Sequence, residues 1–283
     1  MKALANRFPA VVFAVALATG IAFAGEEPEQ TDEELTVDEI VDNAVRVSYY
    51  QGADGSARVK MTITDPQGRV RNRELSIIRR DDLPKDQEDK DDEFLGDQKF
   101  YVYFKRPADV RKMAFMVYKH VNADDDRWLY LSSLDLVKRI ASTEERTSFA
   151  GSHFYYEDVS GRNKEEDVHE LLQTTKSYYV MKNTPKDPDL VEFAYYKTWI
   201  HRKTFIAVKA EYYDNKGEKY REYKAMKVEH VQGYPTVTRA RMTDDRIGGY
   251  TDVEYSNVKY NVDLPDEIFT ERYLRKAPIK YLR

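Results

Sequence analysis

The sequence predicts a mainly β fold, a single large antiparallel sheet attended by a few helices. Most apolar segments alternate with a period of two and are rich in β-branched and aromatic residues, among them 22 tyrosines, 12 phenylalanines and 2 tryptophans. Turn chemistry separates these segments, as in Asp65-Pro66-Gln67-Gly68 and Asn215-Lys216-Gly217. Strand and helix patterns do not alternate along the chain, which argues against a βαβ architecture. With 283 residues and 41% hydrophobic content, the chain can bury a substantial core.

The chain opens with Lys2 and Arg7, then an apolar run over residues 8–24 that ends in the small-x-small triplet Ala22-Phe23-Ala24. This is the pattern of a secretory signal peptide cleaved after Ala24. Its removal takes Lys2 and Arg7 with no acid, so a formal charge of −5 becomes −7. A polar spacer over 25–34 follows, and residues 35–283 are expected to form a single domain. An amphipathic helix is expected from Thr36 to Tyr50, because Ile40, Val41, Ala44, Val45 and Ser48 recur at helical spacing. Thr36 and Glu39 are placed to form its capping box.

Strand patterning begins with Val59, Met61 and Ile63, and a second run over 70–80 completes a hairpin. The charged run over 81–98 lacks the ligand spacing and central glycine of a calcium loop, and reads as a solvated loop. Further strands are expected at 98–105, 112–118, 127–131, 136–140, 177–181, 192–201, 206–213, 218–229, 236–242 and 250–260. Beyond the first helix, helical pattern is confined to 165–173 and a short turn at 266–273. No later stretch is apolar enough to cross a membrane.

Composition and motifs narrow the chemistry. The 45 basic and 50 acidic residues nearly cancel, which argues against nucleic acid or an anionic membrane surface as the main partner. The absence of cysteine excludes thiol catalysis, iron–sulfur clusters, cysteine-ligated zinc and structural disulfides. His120, His153, His169, His201 and His230 never fall in a metal-binding spacing, so no metal and no cofactor are expected. No nucleophile elbow, phosphate loop or dinucleotide fingerprint occurs, and Gly248-Gly249 reads as a turn. An enzyme is not expected. Aromatic strands with few helices to cover them instead suggest an apolar concavity for a ligand.

Several segments carry a family resemblance. Phe104-Lys105-Arg106-Pro107-Ala108-Asp109-Val110-Arg111 resembles the strand-ending K-R-P segment of the LolA-type periplasmic lipoprotein carriers. Asp126-Arg127-Trp128-Leu129-Tyr130 resembles their W-x-Y strand, although Ser132-Ser133 follows where the family commonly has proline. Met242 through Tyr255 and Asn261 to Leu264-Pro265-Asp266-Glu267-Ile268-Phe269 is similar to the closing strand and its terminal turn. Ser148-Phe149-Ala150-Gly151-Ser152, followed by Phe154 and Tyr156-Glu157-Asp158, is similar to the branch of outer-membrane lipoprotein-sorting proteins. In order and spacing these cover most of the mature chain.

The resemblance implies an incomplete, curved antiparallel β-barrel whose open side is plugged by helices, with an apolar cavity between them. It implies a periplasmic carrier of lipid or lipoprotein acyl chains, with an inner-membrane lipid exporter as donor and an outer-membrane acceptor. It also makes Arg106 the residue that gates the lid. Strand parity then puts Phe100, Val102 and Phe104 on the cavity side, if Arg106 points to the lid, and turns Tyr101, Tyr103 and Lys105 away. The more apolar parity of neighbouring strands adds Met61, Ile63, Leu75, Ile77, Phe115, Val117, Leu129 and Leu131. Two other functions are compatible with these residues: an envelope-stress sensor on the same fold that binds a membrane regulator, and an envelope enzyme or polysaccharide-binding protein.

Overall fold

The computed structural model describes residues 35–83 and 95–283. The signal peptide at 1–24, the spacer at 25–34 and most of the charged run (84–94) lie outside the described residues. Helix α1 spans Val37–Tyr49. Its capping box is formed: the Thr36 amide donates to Glu39 Oε2 at 2.8 Å and the Glu39 amide to Thr36 Oγ1 at 3.3 Å. Two of the amides left free at the helix start are satisfied in this way.

Thirteen strands follow: β1 Asp54–Thr64, β2 Val70–Asp81, β3 Gln98–Arg106, β4 Ala114–Lys119, β5 Asp126–Leu131 and β6 Leu136–Ile140, then β7 Asp167–Thr174, β8 Tyr178–Pro185, β9 Tyr195–His201, β10 Ala207–Tyr213, β11 Lys219–Val231, β12 Tyr234–Asp244 and β13 Tyr250–Tyr260. They form one antiparallel sheet in the order β6-β5-β4-β3-β2-β1-β13-β12-β11-β10-β9-β8-β7. Two meanders are thus joined side by side, through the pairing of β1 with β13 in a register that sets Met61 against Val253. The sheet is curved and does not close, as the resemblance to the LolA-type carriers implies.

One segment differs from expectation. Residues 165–173, expected as helix, form most of edge strand β7. Val168, Leu171 and Leu172 fall at a helical spacing, but as a strand Val168 and Leu172 share the exposed face while Leu171 packs toward α1.

The strand order has a direct consequence. β6 and β7 are consecutive in the chain yet lie at opposite edges of the sheet, so residues 141–166 must cross from one edge to the other. This crossing segment, with the short helix α2 (Glu157–Ser160), runs over the inner face. It packs on the N-terminal half of the sheet through Phe149, whose ring lies 5.6 Å from that of Phe104 and 5.4 Å from that of Phe115. Helix α1 covers the other half, burying Ile40, Val41 and Ala44 against Tyr179, Met181 and Ile200. The outer face of β2–β4 is covered by the C-terminal tail and its helix α3 (Glu271–Arg275), where Ile78, Tyr101 and Met116 pack on Ile268, Phe269 and Leu274. Tyr101 and Lys105, on the side turned away from the inner face, therefore serve a second core: the Tyr101 hydroxyl donates to Tyr273 O at 2.7 Å and Lys105 Nζ to Leu282 O at 2.6 Å. Among the described residues, no helix is long and apolar enough to cross a membrane.

Candidate functional site

Between α1, the crossing segment and the inner face of the sheet lies a cavity of about 390 Å³. That is within the ordinary range of small-ligand sites, roughly 300–1,000 Å³. The room arises from side-chain size. Beneath Phe149 the inner face is filled by Phe104, Phe115 and Leu129. Toward the C-terminal strands it presents Gly55, Ala57, Ala207 and Ala210 instead, and the space is not refilled. Val47 and Tyr49 of α1 form the roof, with Phe154, Asp158 and Val159 of the crossing segment beside them. Met242 and Val237 of β12, Tyr212 of β10, Tyr223 of β11 and Tyr255 of β13 form the floor and walls. The pairing of Ala210 with Tyr223 and of Tyr223 with Met242 places these three in one row.

A buried network of charges bolts the crossing segment to the C-terminal strands. The Arg146 guanidinium grips Glu192 twice, at 2.9 and 2.7 Å, and also pairs with Glu157. Arg162 Nη1 lies 3.0 Å from Glu157 and Arg162 Nε 3.0 Å from Asp167, which in turn accepts from the Tyr196 hydroxyl at 2.8 Å. Arg221, its side chain fully buried, pairs with Asp158 and lies with its guanidinium carbon 3.9 Å from the centre of the Tyr155 ring. Burial alone would raise the Glu192 carboxyl, but the hydrogen bonds and charge of Arg146 outweigh it and bring its pKa to about 2. Burial acts unopposed by hydrogen bonds on the cavity tyrosines: Tyr212 and Tyr255 are each pushed up to about 12, and Tyr49 and Tyr223 higher still. All four phenols stay neutral at physiological pH.

Carboxylates of Glu145, Glu157 and Glu166 come within 4.8 Å of one another. Each already faces an arginine, with Arg127 on Glu145 and Arg162 at 3.0 and 2.6 Å from Glu157 and Glu166, so the group is an ion-pair network. His153 is buried and structural, its Nδ1 2.8 Å from Thr251 Oγ1 and its Nε2 3.0 Å from Gly248 O.

Of the residues expected to line a cavity, Ile77 and Phe100 do line this one. Met61, Leu75, Val102, Phe104, Phe115, Val117, Leu129 and Leu131 share the same inner face but belong to the packed cluster beneath Phe149, and Ile63 is buried nearby. Arg106 lies on the opposite face. The β2–β3 register shifts between Glu74 and Leu75, so Phe104 pairs with Leu75 while Arg106 pairs with Glu74. This one-residue slip reverses the parity. The Arg106 side chain is 76% exposed, with Nε 3.7 Å from Glu74. Tyr212, Tyr223, Met242 and Tyr255 were legible by the same alternation on β10–β13, where the aromatic pattern is equally regular.

A family model described as an uncharacterized protein family matches residues 96–276. No curated protein matches the chain. Solved structures do. A DUF1329 family protein from Desulfovibrio piger ATCC 29098 is 27% identical, with a TM-score of 0.72 over 84% of this chain and 98% of that one. A domain described as an outer membrane lipoprotein-sorting protein, from Vibrio parahaemolyticus, is 24% identical with a TM-score of 0.73, covering 84% and 97% of the two chains. A LolA superfamily protein from Nitrosomonas europaea is 20% identical with a TM-score of 0.63, covering 85% and 100%. The fold is that of the LolA-like proteins. The chain belongs to the family whose model spans 96–276.

Proposed function

We propose that the protein is a periplasmic carrier that shelters a lipid or a lipoprotein acyl chain in the inner cavity on its way toward the outer membrane. The observation that carries this reading is an apolar hollow of about 390 Å³ between α1, the crossing segment and the C-terminal half of the sheet. A hydrocarbon tail in water costs about 0.8 kcal/mol per exposed CH₂, so moving one through an aqueous compartment needs a dry wall and no reactive group. The signal-peptide pattern agrees with export, and the likeness to lipoprotein-sorting and LolA structures agrees with the carrier role. An inner-membrane exporter and an outer-membrane acceptor are the partners such a role requires.

Ala210 gives the test, because it is one of the small residues that leave the cavity open. Wild-type protein should take up the apolar dye N-phenylnaphthylamine, with a rise in fluorescence that added phospholipid reverses. Ala210→Trp, and Val237→Trp as an independent filler, should lose most of that rise while keeping the β circular-dichroism signal. Equal dye uptake by wild type and both folded variants would place the dye elsewhere and refute the reading.

A further inference from the structure

The cavity is not uniformly apolar. Tyr49, Tyr212, Tyr223 and Tyr255 line it from α1, β10, β11 and β13. Among the described residues none of their hydroxyls has a hydrogen-bond partner. Asp158 lines the same region. Its Oδ2 is engaged by Arg221 and by the Tyr155 amide at 2.6 Å, whereas Oδ1 accepts from no described residue. The groups are near enough to act on one another's charge: Asp158 on all four phenols, and Tyr223, Tyr212 and Tyr255 on Tyr49. Exposed Ser48 and Lys259 mark the open side of the cavity, while the four tyrosines are half-buried.

These four half-buried tyrosines line the cavity with hydroxyls that no described residue engages, and together they define a polar pole inside an oily wall. A hydrocarbon terminus there would leave each of them facing methyl groups. We infer that the cavity takes an amphiphile whose small, neutral hydroxyl head is held at this pole, two of the phenols donating to its oxygen and Asp158 Oδ1 accepting its proton. The inference rests on the carrier reading and adds the chemistry of the bound head. A hydroxyl matches two of the donors and the acceptor, whereas a carbonyl leaves the carboxylate unmatched. An anionic head at the pole would meet the Asp158 carboxylate, whose paired cation Arg221 is already balanced, while Lys259 stands at the open side of the cavity.

The test uses 1-dodecanol, dodecane and dodecanoate as competitors for bound N-phenylnaphthylamine. Tyr223→Phe/Tyr255→Phe removes two hydroxyls and no ring, and is expected to weaken dodecanol roughly tenfold while leaving dodecane unchanged or tighter. Tyr212→Phe alone should act in the same direction and serves if the double variant melts early. Wild type should bind dodecanoate more weakly than dodecanol at pH 8. Equal shifts for dodecanol and dodecane, or dodecanoate binding as tightly as dodecanol, would overturn the polar pole and leave the carrier reading standing. Failure of wild type to bind dye, dodecane and dodecanol alike would overturn both.

Discussion

Gly161 shows how closely the cavity roof is fitted. Its φ of +78° belongs to the left-handed region, and a Cβ added there would collide with Tyr49 Cζ and lie 2.7 Å from Tyr49 Oη. The helix α2 ends at this glycine, which turns the chain and lets the Tyr49 phenol lie against its backbone. Gly161→Ala should therefore strain the turn and displace the ring together, lowering stability by more than about 1 kcal/mol in denaturant melts. A melt indistinguishable from wild type would show that Tyr49 is not held there. At this scale the sequence was partly legible. Alternation identified Phe100 and Ile77, but the register slip at Glu74 and Leu75 that turns Arg106 outward leaves no mark in composition.

The crossing segment is fixed in two different ways, and each way has its own sensitivity. On the N-terminal strands it rests on aromatic contacts such as Tyr156 with Phe115, whose centroids lie 5.2 Å apart, and these are indifferent to pH. On the C-terminal strands it rests on buried ion pairs. Glu192, with a folded pKa of about 2 against an ordinary value of 4.5, contributes stability that is present above about pH 4.5 and is lost as the pH falls toward 2. Glu192→Gln should thus cost on the order of 2–3 kcal/mol at pH 7, because it leaves Arg146 buried with one partner fewer. The gap to wild type should close between pH 4.5 and 2. A gap that stays constant over that interval would mean the Arg146 contact contributes nothing through charge. The sequence marked this segment through its Phe149 to Asp158 motif, yet its distant ion-pair partners, Glu192 in the loop before β9 and Arg221 on β11, are brought to it only by the folded sheet.

The whole molecule follows from one topological fact, that the two sheet edges are neighbours in sequence and must be bridged across the inner face. The strands, the hairpin turns and the first helix were legible because period-two alternation and capping chemistry are local. Edge strand β7 was not, because its three apolar residues mimic a helical stripe. The position of the cavity was legible only in half. Its open part depends on Gly55, Ala57, Ala207 and Ala210 meeting across strands far apart in sequence, and a small residue on one strand says nothing about the size of its neighbours. Filling one half of the inner face with phenylalanine and leaving the other half bare gives a rigid wall beside a hollow, which suits a carrier better than a solid barrel.

Native mass spectrometry of protein exported to the periplasm and purified without detergent, followed by solvent extraction, tests the central claim most directly. The account predicts a species heavier than the polypeptide by the mass of one lipid, released by the solvent and missing from Ala210→Trp. A protein that flies at the mass of its polypeptide alone, with no stoichiometric lipid in the extract, would contradict it.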